Sequence, residues 1–300
     1  MSKKKNKIVN SASDKVLFTI TNITLILVLI VVLYPIVFVV SSSFSSGSAI
    51  GRGKVWLYPV EFTLNGYEIV FAYRSVWVGM KNSIFYTVVG TMINMILSIL
   101  VAYPLSRRQF HMKGLVTTLF TITMVFSAGL VPTYLAMSTL GMVGNRLGYL
   151  LLSAISTYNM IIIRTYFQNS IPEELIEAAQ IDGYGHFGTL FRIVLPLSKS
   201  VLCVVALYYA VAHWNAYFNA MIYLRDKELQ PLQCVLRTIL NAANVDTSEI
   251  TDVEALEKLT NAVDQIRYAL IVVTSVPIIA IYPLVQKYFK KGVMIGSVKG

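Results

Sequence analysis

Residues 16–40 read VLFTITNITLILVLIVVLYPIVFVV, twenty-five consecutive positions without Asp, Glu, Lys or Arg. A helix crossing ~30 Å of hydrocarbon needs roughly 17–25 such residues. The stretch therefore reads as a transmembrane helix. Lys3, Lys4, Lys5 and Lys7 precede it, as in a signal peptide. The run is too long for one, however, and no small-residue cleavage site stands out.

Charge-free runs recur at 82–106, 114–145, 147–163, 200–224 and 268–286. The run from 16 and the run from 114 are longer than a span requires, so part of each is loop. The spacing predicts six spans, near 17–40, 80–104, 114–137, 146–166, 200–223 and 268–286. Arg164 sits near the end of the fourth and must snorkel. Composition agrees: the chain is 56% hydrophobic and 13% charged, whereas a soluble domain carries about a quarter charged residues. The expected class is an all-α membrane protein.

Lys and Arg set the orientation. Six spans put both termini on one side, and 15 of the 25 Lys and Arg residues fall there with 5 of the 15 acids. That side should be cytoplasmic. The net charge of +10 is thus a topology signal rather than a nucleic-acid footprint. The reading divides the chain into a cytoplasmic tail (1–15), a transmembrane domain (16–287) and a basic cytoplasmic tail (288–300). The domain has outer loops at 41–79 and 225–267, the latter partly helical from Thr251 to Val263. Cys203 and Cys234 suggest packing rather than a disulfide framework.

The spans hold no Asp or Glu, and His213 is the one clearly intramembrane ionisable residue. This weighs against proton or sodium coupling. His111, His186 and His213 lack metal-ligand spacing, and no nucleophile elbow appears, so neither catalysis nor a metal site is expected. The stretch Gly47 to Lys54 fails as a phosphate loop, because Ser48 and Val55 stand where Gly and Ser or Thr are needed.

Between the fourth and fifth spans runs Ser170-Ile-Pro-Glu-Glu-Leu-Ile-Glu-Ala-Ala-Gln-Ile-Asp-Gly183, continuing to Ile193-Val-Leu-Pro196. Ser170 and Glu173 have capping-box spacing, and Pro172 suits a first turn. Glu173, Glu174 and Glu177 favour the positive end of a helix. Ile171, Leu175, Ala178 and Ala179 share a face. Gly183 ends the helix, a second short helix follows, and Pro196 breaks it. Periodicity alone leaves two readings, a knob for a partner's socket or an amphipathic helix lying on the bilayer.

The pattern Glu177-Ala178-Ala179, Asp182-Gly183, Ile193 and Leu195-Pro196 resembles the EAA loop of binding-protein-dependent ABC importer permeases. Trp214-Asn215, Pro231-Leu232-Gln233, Tyr282-Pro283 and Gln286 to Phe289 are similar to the carbohydrate-uptake branch, relatives of the maltose importer's smaller permease. The ending Lys291 to Gly300 resembles the polysaccharide and aldouronate-type subgroup. Ser200 departs from it, since relatives often have proline there.

The resemblance implies a type I ABC importer permease fold with a cytoplasmic coupling loop at 167–199. It implies a bacterial plasma-membrane permease for carbohydrate, an oligosaccharide with or without uronic acid. Glu177, Ala178, Ala179, Asp182, Gly183 and Pro196 would form the ATPase-coupling site. ATP and Mg would be bound by a partner ATPase dimer and no cofactor by this chain. Further implied partners are a second homologous permease in a heterodimer, an extracellular solute-binding protein reached by the 225–267 loop, and membrane lipid. The basic tail Lys290 to Gly300 would enter the ATPase dimer or hold anionic lipid. Trp214, Asn215, Tyr217 and Asn219 offer ring faces and amides for a sugar path, or simple packing. The alternative function is an ion-coupled secondary transporter of a small polar solute.

Overall fold

The computed structural model describes residues 11–242 and 253–296. Lys3, Lys4, Lys5 and Lys7, the start of the expected 251–263 helix, and the last four residues of the tail lie outside this range. Among the described residues every regular element is helical. In chain order these are α1 (Ala12–Ser43), α2 (Gly47–Gly51), α3 (Asn65–Ala72), α4 (Arg74–Ser106), α5 (Lys113–Val125), α6 (Leu130–Thr139), α7 (Arg146–Leu151) and α8 (Thr157–Ser170). Then come α9 (Glu173–Ile181), α10 (His186–Thr189), a π turn (Leu190–Val194), α11 (Leu195–Leu197), α12 (Lys199–Asn215), α13 (Phe218–Tyr223), α14 (Leu232–Ala242) and α15 (Val253–Gly296).

The chain forms two compact units, one containing residues 11–70 and 253–272, the other 71–242 and 273–296. In the first, α1 is apolar all round, and Val16 to Val37 expose their large side chains on every face. Such a surface is stable only against hydrocarbon. Two of its hydroxyls are satisfied internally: those of Thr19 and Thr24 donate to the carbonyls of Lys15 and Ile20 at 2.8 and 2.9 Å. The serine-rich exit is folded rather than loose. Ser41, Ser42, Ser43 and Ser45 are buried. Ser41 Oγ donates to Leu57 O at 2.8 Å, Tyr67 Oη to Ser43 Oγ at 2.8 Å, and Phe44 stacks on Phe62.

In the second unit α4 is the spine. Its inward stripe is Gly79, Ser83, Thr87, Gly90, Asn94, Ser98 and Ala102, spaced three to four apart. Its outward face carries Ile84, Val88, Met92, Ile96 and Leu100. Small residues inside and branched apolar ones outside are what packing within lipid requires, since lipid is as apolar as leucine. α8 and α12 close on this stripe. The shared core includes Met160, Ile163, Phe167, Val205 and Tyr209.

Three of the predicted spans are not continuous. Three helices are long and apolar enough to cross a membrane: Ser13–Ser43, Arg74–Ser106 and Thr260–Ile281. The number reaches five if each of two bent pairs counts once. The 114–137 span breaks at 126–129 and bends by 117° into α6. The 146–166 span is two short helices, α7 and α8, parted at 152–156. The 200–223 span ends at Asn215 and restarts as α13. The tail expected from 288 continues α15 as helix to Gly296, and Pro283 lies within that helix rather than ending it.

Polar side chains of α4 hold the 228–232 turn and the start of α7. Asn82 Nδ2 donates to the carbonyls of Glu228 and Gln230 at 2.8 and 3.0 Å, and Tyr86 Oη to Leu229 O at 2.7 Å. Ser83 Oγ accepts from Leu232 N at 2.8 Å, and Asn82 Oδ1 accepts from Arg146 at 2.8 Å. At the opposite end two arginines cap each other's helices. Arg164 Nε donates to Leu105 O of α4 at 3.1 Å, and Arg107 Nη2 donates to Phe167 O of α8 at 3.0 Å. Arg164 is thus held by a helix end, where positive charge is favoured. The Asn82→Leu variant leaves two carbonyls and one guanidinium without their partners. It should destabilise the purified chain in detergent by about 2 kcal/mol, measured as a lowered thermal unfolding midpoint. An unchanged midpoint contradicts the role given to Asn82.

Candidate functional site

The segment from Ile171 to Leu197 forms the first candidate site. α9 starts after Pro172, which is its N-cap at φ −57°. Ser170 is the last residue of α8 and caps nothing, so the predicted capping box does not form. Proline cannot donate to the preceding turn, and the residue before it is driven extended. This ends α8 at Ser170. Glu173 and Glu174 sit in the first turn of α9, where the helix dipole favours them.

The end of α9 is a Schellman motif. Tyr184 N–H donates to Ala179 O at 2.9 Å and Gly183 N–H to Gln180 O at 3.0 Å, with Gly183 at φ +82°. A Cβ at Gly183 would meet no atom of this chain within 4 Å. The glycine answers a backbone demand, a left-handed turn, and leaves open space beside it.

One face of α9 is sealed. Ile171, Ile176 and Ala179 are buried, Ile171 and Ile176 within the cluster of Phe167, Leu190 and Val194. Leu175 and Ala178, expected on that face, are exposed. The outward face holds Glu174, Glu177, Ala178, Ile181 and Asp182, continued by Gly183 and Phe187. Ile181 is 86% exposed and Phe187 69%. Pro196 lies within α11 rather than ending it, and the chain turns by 84° at Ser198.

α9 is tied to α4 through Arg107, only 8% exposed. Its Nη1 lies 4.0 Å from Glu173 Oε2, and its Nε donates to Ser106 Oγ at 3.0 Å. Burial pulls the guanidinium below its ordinary range, and the Glu173 carboxylate opposes that pull. Beneath α9 a cavity of about 420 Å³ opens between Tyr103, Arg107, Glu173, Gln180 and Phe187.

The second candidate site is a polar cavity of about 260 Å³ between α4, α7, α8 and α12. Asn94 Nδ2 donates to Ser153 O at 2.6 Å and Ala154 O at 2.9 Å, the carbonyls freed where α7 and α8 part. With both amide hydrogens so used, Asn94 Oδ1 accepts from His213 Nε2, so that nitrogen carries the proton. Tyr209 Oη accepts from Ser156 N at 3.1 Å and bonds Ser98 Oγ at 2.7 Å. Gly90 lets the imidazole approach: a Cβ there would stand 2.6 Å from the ring.

The four residues predicted for a sugar path are not brought together. Trp214 is 4% exposed, and its Nε1 donates to Thr274 O at 3.0 Å. Tyr217 lies under the Arg237 guanidinium, and Asn215 is exposed. Asn219 alone of the four lines the cavity. Asn94, Asn159 and Tyr209 went unread, although an amide within a charge-free run is itself a signal. Among the described residues no group of His, Cys, Asp or Glu is arranged to hold a metal.

Asn94→Leu orphans the two carbonyls at the break and removes the His213 acceptor. The expected cost is about 2–3 kcal/mol, read as a loss of thermal stability in detergent, and wild-type stability would contradict the assignment.

No protein-family profile matches the chain. It is 38% identical over 278 residues to Protein LplC of Bacillus subtilis, covering 90% of each chain. It is 37% identical over 279 residues to the polygalacturonan/rhamnogalacturonan transport system permease protein YtcP of the same organism, covering 92% of this chain and 96% of that one. Among solved structures it is similar to a bacterial ABC transporter involved in the import of the acidic polysaccharide alginate. The TM-score is 0.85 at 35% identity, covering 94% of this chain and all of the other.

Proposed function

The chain belongs to the permease subunits of ABC importers that take up carbohydrate, and on that premise we propose that α9 is the helix through which ATP hydrolysis on a separate subunit drives it. It is a transporter component of the membrane and not an enzyme. ATP coupling follows from the family, as do an ATPase and a solute-binding protein as partners. The reading as an ion-coupled transporter falls away with that kinship.

The observation that carries the proposal is the division of α9 into a sealed face and an uncovered one. Ile171 and Ile176 fix the helix to the core, so a push on it moves α4 and α8 with it. Glu177, Ala178, Ile181 and Asp182 face away, beside the open space at Gly183. A surface of acids, a small residue and an exposed isoleucine suits a socket of mixed character on a partner. The Lys and Arg distribution supports a cytoplasmic position for this segment and for both termini. That requires six crossings, with the bent pairs and the α7–α8 pair each completing one. A second, different permease would pair with this chain. The names of two relatives, a polygalacturonan and an alginate importer, support a uronic-acid-containing oligosaccharide as cargo.

The test is the complete importer, with the binding protein, in proteoliposomes. In Gly183→Asp the turn is strained and a carboxylate fills the open space. Uptake should fall at least tenfold, and loaded binding protein should no longer stimulate ATP hydrolysis. Gly183→Ala, costing about 1 kcal/mol, should retain most uptake. Full transport by Gly183→Asp would overturn the coupling role.

A further inference from the structure

The polar cavity contains two kinds of group. The framework is paired: Asn94, His213, Ser98 and Tyr209 spend their hydrogen bonds on each other and on the parted backbone. Three others are not. Asn159 is 8% exposed and Tyr149 6%. Yet the side-chain amides of Asn159 and Asn219 and the Tyr149 hydroxyl have no hydrogen-bond partner among the described residues, and all three line the cavity. Their polar atoms are not sealed in the packing but open onto the cavity. Inside a membrane domain they mark a place where something else bonds them.

The size and chemistry of the space narrow what that is. At about 30 Å³ per water, 260 Å³ corresponds to roughly eight or nine waters, more than three groups would order. No Asp, Glu, Lys or Arg lines it, so nothing there would select an ion. Two amides and a phenol offer donors and acceptors together, the set that suits adjacent sugar hydroxyls. The cavity also borders the α7–α8 break, and interrupted helices line substrate sites in other transporters.

We infer that this chain itself holds one sugar ring of the passing oligosaccharide in this cavity, through its hydroxyls, by Asn159, Asn219 and Tyr149. A uronic carboxylate is not recognised here, because no cation faces the space. The inference rests on the importer reading above.

The experiment uses the complete importer with its binding protein, with trigalacturonate and the neutral xylotriose as probes. Asn159→Leu and Asn219→Leu should each lower uptake of the transported sugar about fivefold to tenfold, and Tyr149→Phe less. As a measurement independent of assembly, Asn159→Cys is placed in a Cys203→Ala, Cys234→Ala background and alkylated with a small thiol reagent. Transported sugar, delivered in the presence of ATP, should slow the alkylation several-fold. Uptake within twofold of wild type in both leucine variants, or alkylation that neither sugar slows, overturns the inference. Stimulation of wild-type ATP hydrolysis by loaded binding protein reports the importer reading separately. A stimulated wild type with an unprotected cysteine therefore faults the cavity and not the transporter.

Discussion

In hydrocarbon no backbone N–H or C=O can turn to water, so an interrupted helix survives only where another part of the protein supplies its missing bonds. This chain interrupts its helices at 126–129, 152–156 and 216–217. The remainder of the structure is organised around meeting that requirement. α4 meets it at 152–156, and also holds a neighbouring turn and a helix end. Asn82, Ser83 and Tyr86 hold the 228–232 turn, Asn94 takes the two carbonyls at the α7–α8 break, and Arg107 caps α8. The polar residues of this long helix are therefore not tolerated intruders in an apolar span. They are the reason its neighbours can be broken.

The same constraint shapes the junction from which α9 grows. The ends of α4 and α8 are locked together by exchanged arginine caps, and α9 grows from that junction with its inner face packed on Phe167 and Leu190. A displacement of α9 is thereby delivered to two membrane helices at once. Its outer face is left without partners among the described residues. Ile171 and Pro172 set the direction in which α9 leaves, and the Schellman turn at Gly183 sets where the segment doubles back.

Much of this was legible in the sequence. Charge-free runs locate α1 and α4 but stop short of their ends, because a helix that meets lipid cannot carry charge there whereas its ends can. The Glu-Ala-Ala to Gly183 pattern locates α9 and its end. The break at 152–156 is not legible, because Ser153, Ala154 and Ser156 are neither charged nor strong breakers, and only the side chain of Asn94, some sixty residues away, makes their unwinding possible. The buried face of α9 was misjudged for a related reason. Leu175 and Ile176 are equally apolar, and the choice between them depends on the angle at which Pro172 launches the helix. Trp214 was weighed as a sugar contact from its type, whereas its N–H is spent on Thr274.

In the proposed importer the outer face of α9, and not its inner face, meets the ATPase. Site-specific photo-cross-linking on the assembled importer tests this most directly. A photoreactive residue at Ala178 or Ile181 should give an adduct between this chain and the ATPase subunit, while one at Ile176 should give none. Cross-linking to the ATPase from Ile176, or to lipid alone from Ala178 and Ile181, would contradict the claim.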